Sequence, residues 1–316
     1  MAGFFGAARI RVPCSTSNLG AGFDCIGLAL NRFLRAEFEP GGTALEIVRH
    51  GTLAGIVAPV AEDLFVRVFV AELERAGHAG VCGRLVLDSE IPIARGLGSS
   101  AAATVGGLLL ARVVTGGAID RSELLRQAAA LEGHPDNSAP ALYGGLVGVA
   151  RGADGAARAM ELPLSASIGF AFAAPHVEVP TPLARKALPA SVPHLQATRA
   201  LGRLAALVHG LATGEPELLR AGFADELHVP YRLPLIPRAQ AAIDAAHAAG
   251  AWAVTISGSG SGLIAACPKG AEHEVAAAMA TALRGPGETP CTAFAAEPVG
   301  GAEIVRDTVT ELRQDA

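Results

Sequence analysis

Short apolar runs alternate along the chain with longer stretches in which apolar residues recur every three or four positions. The runs are rich in valine, isoleucine, leucine and phenylalanine, which favour extended backbone. They predict β-strands at 8–13, 26–39, 45–49, 84–89, 145–149, 168–173, 253–257 and 262–267. The longer stretches predict helices at 62–76, 99–114, 121–132, 196–212, 216–226, 238–249 and 271–284. This mixture indicates an α+β or α/β architecture.

The 316 residues exceed what one compact core usually holds, so we expect two domains, 1–160 and 161–316. The boundary is placed at 151–163, where glycine, alanine and charged residues interrupt the apolar pattern. A hairpin turn explains the same residues. The proline-bearing stretch 175–193 is too irregular for a regular element and is long enough to act as a lid.

Composition narrows the classes of partner. No apolar stretch is long enough to cross a bilayer, so no membrane partner is expected. A net charge of −5 and an aromatic content of 4% argue against nucleic acid, because both phosphate contacts and stacking platforms are scarce. The amino terminus shows no secretory signal, and the five cysteines are scattered, which together favour a cytoplasmic protein.

The most informative segment is 92–103, where a glycine turn leads directly into a helix of small residues. A helix start offers unpaired amide donors and the positive end of a dipole, which suit a triphosphate. The lysine of the common phosphate loop is missing, and the chain has only Lys186 and Lys269. Phosphate charge would then depend on amides, arginine and a magnesium ion bound by Ser99 or Ser100. A tight turn capped by serine is the alternative; we favour a kinase.

A polar loop at 13–24 separates two apolar runs near the amino terminus. It brings the amide of Asn18 and the carboxylate of Asp24 close together in sequence, which suits a small hydroxylated or aminated substrate. The same two residues are also typical of an Asx-turn, in which their side chains serve the backbone.

A third polar segment follows the predicted helix 121–132. Glu132 lies at the last turn of that helix, just before Gly133, where its charge opposes the helix dipole unless a divalent cation is bound. A solvated surface glutamate is the alternative. The turn that follows is either substrate-facing or a hydrogen-bonded structural turn, and its polar residues are His134, Asp136 and Asn137.

A glycine–serine loop at 255–264 lies between two apolar runs of strand type. Its glycines, Gly258 and Gly260 among them, allow the backbone to approach a ligand without obstruction by a Cβ atom. A flexible hairpin would use the same residues.

Taken together, segments 13–24, 92–103 and 257–262 resemble, in order, the three motifs of the superfamily that includes galactokinase, homoserine kinase, mevalonate kinase and phosphomevalonate kinase. Segments 18–30 and 134–141 resemble the homoserine kinase family in particular. The resemblance implies a two-domain α+β fold, with an amino-terminal half like ribosomal protein S5 domain 2, a ferredoxin-like carboxyl-terminal half, and the site between them. The third motif departs from the usual Ser-Gly-Ala-Gly-Pro-Ser, because it lacks the proline and ends in glycine.

The resemblance further implies ATP-dependent phosphorylation of the L-homoserine hydroxyl, with Mg²⁺, in threonine biosynthesis. Ser100 and Glu132 would bind the metal and, with Asn18, form the catalytic set. The substrate would contact Asn18, Asp24, His134, Asn137, Arg185 and Arg232. The nucleotide would contact Pro92, Arg95, Gly96, Leu97, Gly98, Ser99, Ser100, Ala101, Gly258 and Gly260. Two guanidinium groups suit the carboxylate of a zwitterionic amino acid.

Two alternatives stay open at this point. One is another small-molecule kinase of the superfamily, of the threonine or mevalonate type, although two carboxylate-reading arginines argue against it. The other is a nucleotide-binding regulator without turnover. No Asp–Lys pair that could form a general base is evident near the motifs. A homodimer is expected because many members of the superfamily form pairs.

Overall fold

The computed structural model describes residues 5–56, 59, 62–287 and 289–305. Its strands are β1 (Ala8–Ser17), β2 (Ile26–Pro40), β3 (Leu45–Gly51), β4 (Gly83–Ser89), β5 (Leu146–Arg151), β6 (Ala157–Leu162), β7 (Ile168–Pro175), β8 (Ala253–Ile256), β9 (Leu263–Pro268), β10 (Cys291–Ala296) and β11 (Glu303–Ile304). Its helices are α1 (Leu64–Arg75), α2 (Ser99–Val114), α3 (Arg121–Glu132), α4 (Ser138–Tyr143), α5 (Thr181–Lys186), α6 (His194–Thr213), α7 (Pro216–Phe223), α8 (Val229–Arg232), α9 (Ala239–Ala248) and α10 (Glu272–Arg284). These helices and strands confirm the predicted α+β class.

The first sheet has the strand order β11-β1-β2-β4-β3, and the hairpin β5–β6 joins it through the start of β2. β3 pairs in parallel with β4, whereas the other pairs are antiparallel. Helix α2 packs on β1, and α1 and α3 pack on α2. The loops that follow β1 and precede α2 therefore meet at one end of this sheet.

The second sheet is antiparallel throughout, with the order β10-β7-β9-β8. The first strand of this half lies between its fourth and third strands, which is the ferredoxin-like order that the resemblance implied. Helices α9 and α10 pack against each other and against this sheet. One apolar core contains residues of both halves, for example Leu30 of β2 and Phe172 of β7. The two sheets are therefore joined by shared burial of apolar side chains.

The structure tests the sequence expectations for two connecting segments, 151–163 and 175–193. The interruption at 151–163 contains the turn of the β5–β6 hairpin, which runs from Arg151 to the paired Ala157, and the strand β6 itself, so the hairpin alternative is confirmed. The division into 1–160 and 161–316 stays a prediction. The expectation that 175–193 holds no regular element is wrong, because it contains α5. Proline near the start of α5 fits a helix, since the first turn needs no amide donor there.

Helix ends place two of the predicted site residues. Gly98 precedes α2 with a left-handed φ of 61°, so the loop turns sharply into the helix at Ser99. Gly133 ends α3 with a φ of 80°, which leaves Glu132 on its last turn as expected. In the described part of the chain, no helix has the length and apolarity to cross a membrane.

Candidate active site

The loop before α2 turns through three residues with positive φ, namely Ala94 at 54°, Gly96 at 74° and Gly98 at 61°. Leu97 is buried and anchors the turn, while Ser100 is exposed on the first turn of the helix. Among the described residues, no side chain caps the start of α2. The first amides of this helix are therefore available to an anion, as the sequence predicted.

Two glycines of this loop lie where a side chain does not fit. A Cβ at Gly96 would lie 2.0 Å from the carbonyl oxygen of Ser257, and one at Gly98 would lie 2.4 Å from Oγ of Ser15. The Ser257 hydroxyl donates to the Gly96 carbonyl over 2.7 Å, and the Ser15 amide donates to the Leu97 carbonyl over 3.1 Å. The end of β1 and the glycine–serine loop thus fix the position of the turn.

Asn137 holds the end of β1 in place. Its Oδ1 accepts from the Ser15 hydroxyl over 3.0 Å, and its Nδ2 donates to the Ser17 hydroxyl over 2.7 Å. The structural alternative for this turn is therefore observed at Asn137. The side chain is 8% exposed and also borders the cavity described below.

Asn18 connects the substrate loop predicted at 13–24 to the glycine–serine loop. Its Nδ2 donates to the Gly258 carbonyl over 2.9 Å, and its Oδ1 accepts from the Asp24 amide over 2.7 Å. Both Asn18 and Asp24 have left-handed φ values, 60° and 55°. Such conformations cost free energy, and these hydrogen bonds compensate for it. The Asx-type role is therefore present at Asn18, which also lines the cavity.

Glu132 accepts hydrogen bonds from two hydroxyls on α2, from Ser100 over 2.8 Å and from Thr104 over 2.6 Å. Thr104 is completely buried and was not among the predicted site residues. Its position four residues after Ser100 could have identified it, because residues at that spacing share a helix face. The solvated surface glutamate is thus not what the structure shows, because Glu132 is held against α2.

The oxygen donors at Ser100 and Glu132 fit Mg²⁺, which prefers hard oxygen ligands and is usually bound through one or two carboxylates together with substrate phosphates. Within the described ranges, no group of three histidine, cysteine, aspartate or glutamate side chains could hold a metal by itself. Phosphate and water oxygens would therefore have to complete the coordination shell.

Asp24 forms a bidentate ion pair with Arg185 of α5. The two contacts are 2.8 Å and 3.0 Å long, and both side chains are 38% exposed. This pair raises the pKa of Arg185, mainly through the hydrogen bonds to Asp24. The structure thus brings two of the predicted substrate residues into direct contact, across 161 positions of sequence.

Arg232, at the end of α8, is 1% exposed and lies with its guanidinium carbon 4.9 Å from the centroid of the Phe23 ring. It donates over 3.3 Å to the Ala184 carbonyl and over 3.5 Å to the Gly258 carbonyl. Among the described residues, no carboxylate lies within ion-pair distance of it. Burial, together with the nearby charge of Arg185, lowers the pKa of Arg232. A buried cation with no carboxylate partner among the described residues favours an anionic ligand.

A cavity of about 440 Å³ connects these features. Its apolar lining comes from Leu34, Leu53, Ile56, Leu64, Phe65, Leu87, Ile91 and Ile93. Its other lining includes the predicted residues Asn18, Arg95, Gly96, Leu97, Gly98, Ser99, Ser100, His134, Asn137, Arg185, Arg232 and Gly258. Five predicted residues do not line it, and these are Asp24, Pro92, Ala101, Glu132 and Gly260. Of these, Asp24 and Glu132 are each one hydrogen bond away, through Arg185 and Ser100.

Comparison with known proteins places this geometry in a family. The chain matches the GHMP kinases N terminal domain over residues 63–145 and the GHMP kinases C terminal domain over residues 207–285. It is 40% identical over 297 residues to a homoserine kinase of Moorella thermoacetica, covering 94% of this chain and 99% of that protein. The chain belongs to the homoserine kinase family. The resemblance predicted from the motifs is confirmed.

Other relatives in the homoserine kinase family agree. A homoserine kinase of Thermus thermophilus is 39% identical over 279 residues, with coverage of 88% and 92%. The crystal structure of a homoserine kinase from Cytophaga hutchinsonii superposes with a TM-score of 0.81 at 27% identity, covering 95% and 97% of the chains. A mevalonate kinase of L. major, crystallised with R-mevalonate, shares the fold with a TM-score of 0.69 at 14% identity.

The titratable pair His134 and Asp136 lies at the cavity. His134 Nδ1 and Asp136 Oδ1 are 3.0 Å apart, and Asp136 is 1% exposed. The hydrogen bond to Asp136 raises the pKa of His134 despite partial burial. Burial raises the pKa of Asp136, but the His134 hydrogen bond and charge outweigh it, so the pKa of Asp136 is lowered. The ionised pair is therefore favoured in the folded state.

This pair predicts a pH-dependent contribution to stability. Because the pKa of His134 is raised on folding, its stabilising contribution is complete below the unfolded value of about 6.5 and is lost as pH rises through the folded value. We expect the difference in unfolding free energy between the wild type and His134→Asn to be larger at about pH 6 than at about pH 9. Urea denaturation measures it, and His209→Asn, at an exposed position of α6, controls for loss of a histidine. A difference that grows with pH would contradict the assignment.

Proposed function

We propose that this chain transfers the γ-phosphoryl group of ATP to the side-chain hydroxyl of L-homoserine, giving ADP and O-phospho-L-homoserine, as required in threonine biosynthesis. The observation that carries the proposal is the uncapped start of α2 at Gly98 in the same cavity as Arg185 and Arg232. A site for a triphosphate thus adjoins a site for a carboxylate. The names of the relatives and their coverage of the whole chain support this assignment.

The nucleotide is assigned to the glycine loop and the apolar lining. Neither Lys186 nor Lys269 lines the cavity in the described residues. The phosphates are therefore assigned to the amides at the start of α2 and to the side chain of Arg95. Lys186 is exposed on α5, and Lys269 pairs with Glu272 at 3.2 Å. The apolar wall around Phe65 and Leu87 suits a planar base. All the predicted contacts of ATP stay predictions, and three of the predicted residues, Pro92, Ala101 and Gly260, do not line the cavity.

The amino acid is assigned to the polar lining. Arg185 and Arg232 would hold its carboxylate through planar, charge-assisted hydrogen bonds. Asp24 would hold the ammonium group, while Asn18, His134 and Asn137 would contribute hydrogen-bonding groups around the reacting end. Since Arg185 and Asp24 already neutralise each other, a zwitterion can replace both halves of that ion pair at once.

In the reaction, the homoserine hydroxyl oxygen forms a bond to the γ-phosphorus while the bond from that phosphorus to the bridging oxygen breaks. ADP leaves with the electron pair, and the hydroxyl proton passes to a non-bridging oxygen of the transferred phosphoryl group and from there to solvent water. We attribute the acceleration of the reaction to in-line positioning of the reactants and to stabilisation of the phosphate charge, which are the main contributions to catalysis of phosphoryl transfer. Asp24 pairs with Arg185 in the free protein and would hold the ammonium group in the complex, and no lysine lines the cavity in the described residues, so no dedicated general base is assigned.

Mg²⁺ would be held by Ser100 and Glu132 and, when bound, would neutralise charge on the transferring phosphates. Thr104 orients the carboxylate of Glu132 from its buried position on the same face of α2. The expected homodimer and the cytoplasmic location stay predictions.

The test of this function is ADP release with a panel of acceptors, namely L-homoserine, L-threonine, mevalonate and galactose, with and without Mg²⁺. We expect the highest kcat/KM with L-homoserine and loss of turnover without Mg²⁺. Rapid turnover with mevalonate alone would contradict the substrate assignment. ATP binding without turnover of any acceptor would instead identify a nucleotide-binding regulator.

A substitution at Glu132 tests the metal assignment. We expect Glu132→Gln to lower magnesium-dependent turnover about 100-fold, because a neutral amide is a poor ligand for a hard cation. Folding should be retained, since an amide oxygen can still accept from Ser100 or Thr104. Steady-state rates over a titration of Mg²⁺ provide the measurement.

The matched control is Glu123→Gln at the other end of α3, where the carboxylate pairs with Arg126 at the surface. It should leave turnover unchanged. Equal turnover of Glu132→Gln and the wild type at limiting Mg²⁺ would overturn the assignment of Glu132.

A further inference from the structure

His228 is a completely buried histidine just before α8 that the reaction outlined above does not use. Its Nε2 lies 3.0 Å from the carbonyl oxygen of Gly20. Because a carbonyl can only accept, Nε2 carries the hydrogen, and Nδ1 is buried without a hydrogen-bond partner in the described residues. Burial lowers the pKa of His228 and outweighs the Asp225 carboxylate, whose Oδ2 lies 3.8 Å from Nε2, so the neutral ring is favoured at neutral pH.

The backbone around His228 is held rigidly. The carboxylate of Asp225, which is 8% exposed, accepts from the amides of Leu227, His228 and Val229. The amide contacts are 3.0 Å, 2.6 Å and 2.8 Å long. The backbone that carries the His228 imidazole is therefore held in place by the Asp225 carboxylate.

The rings of His228 and Phe23 are stacked, with centroids 4.9 Å apart and planes inclined by 18°. The guanidinium carbon of Arg232 also lies 4.9 Å from the Phe23 centroid. His228 and Arg232, four residues apart, thus contact the same aromatic ring.

Two partners of the His228 ring, Gly20 and Phe23, belong to the loop that carries Asp24. Gly20 accepts its hydrogen bond, and Phe23 directly precedes Asp24. A Cβ at Gly20 would lie 2.4 Å from the Cα of Phe223, so this loop also has little freedom to move at its centre. His228 therefore connects the residue assigned to the substrate ammonium with the arginine assigned to its carboxylate.

We propose that His228 is a positioning residue that acts through Phe23 to set the placement of Arg232 relative to Asp24, and thereby the affinity for the amino-acid substrate. This inference rests on the proposed function. A histidine that served only the fold would affect stability, whereas a positioning histidine changes the KM for the amino acid more than the KM for ATP. Phe23 should act in the same unit, because its ring face contacts both groups.

The experiment measures kcat, the KM for L-homoserine and the KM for ATP for Phe23→Leu, Phe23→Tyr and His228→Leu. We expect Phe23→Leu to raise the KM for L-homoserine about fivefold to tenfold, because it removes the aromatic face beneath a desolvated guanidinium. Phe23→Tyr keeps that face and should restore the wild-type KM. His228→Leu should raise the same KM, with the KM for ATP little changed.

A double variant separates a shared unit from independent contacts. Phe23→Leu combined with His228→Leu should raise the KM for L-homoserine no further than the larger single effect, since both act through one ring. Independent, multiplying effects would overturn the proposal. His228 is buried, so its variant could fail to fold. The two variants of the half-buried Phe23 therefore test the proposal on their own, because equal KM values for Phe23→Leu and Phe23→Tyr would overturn it.

Arg199→Ala is the control variant, because this exposed arginine pairs at 2.7 Å with Glu226, next to Asp225, and has no contact with the Phe23 ring. Its KM for L-homoserine should equal that of the wild type. The wild type in the same assay separates the two hypotheses. Absence of turnover with L-homoserine would contradict the proposed function, whereas normal wild-type turnover with unchanged KM in the Phe23 and His228 variants would contradict only the positioning role.

Discussion

The close approach of three backbone segments around Gly96 and Gly98 is the constraint on which the site depends. The end of β1 contacts Gly98 from one side, and the glycine–serine loop contacts Gly96 from the other, at distances that exclude a Cβ atom. These contacts come from both halves of the chain. The turn is therefore held by contacts from both halves of the chain, and it places the start of α2 at the cavity.

Charge in the cavity follows from the same arrangement. The chain has few lysines, so the proposed recognition of anions depends on helix amides and on arginines that the fold buries or pairs. Arg232 is held by carbonyl oxygens and an aromatic ring, and it has no bound carboxylate in the described part of the chain. Arg185 is neutralised by Asp24. In the proposed function, Arg232 thus provides an unpaired charge for the substrate carboxylate, and Arg185 provides an ion pair that a zwitterion can exchange.

Local sequence signals predicted the elements that frame the site. Gly98 before a run of small residues correctly placed the start of α2, and Gly133 correctly placed the end of α3, because both positions require a left-handed backbone that glycine adopts readily. The expectation that 175–193 holds no regular element is wrong at Thr181–Lys186, which form α5, since proline both disrupts helix interiors and favours helix starts.

Contacts between distant segments were beyond the reach of those signals. The spacing of four residues places Thr104 on the same helix face as Ser100. No local signal, however, indicates that both hydroxyls donate to the carboxylate of Glu132. The stack of His228 on Phe23 joins residues more than two hundred positions apart, and it depends on how α8 packs against the loop after β1. The motif resemblance supplied the roles of Arg185 and Arg232, but only the fold shows that one is paired and the other is buried.

The most direct measurement is the equilibrium affinity for ATP of Gly98→Ala compared with Gly116→Ala. The two glycines flank opposite ends of α2 with similar φ values, 61° and 66°, but a Cβ at Gly116 would meet no atom within 4 Å. The account predicts that Gly98→Ala weakens ATP binding by about tenfold or more, which corresponds to about 1.4 kcal/mol, while Gly116→Ala binds as the wild type does. Equal affinities for the two variants would contradict the claim that the nucleotide's phosphates bind at the start of α2.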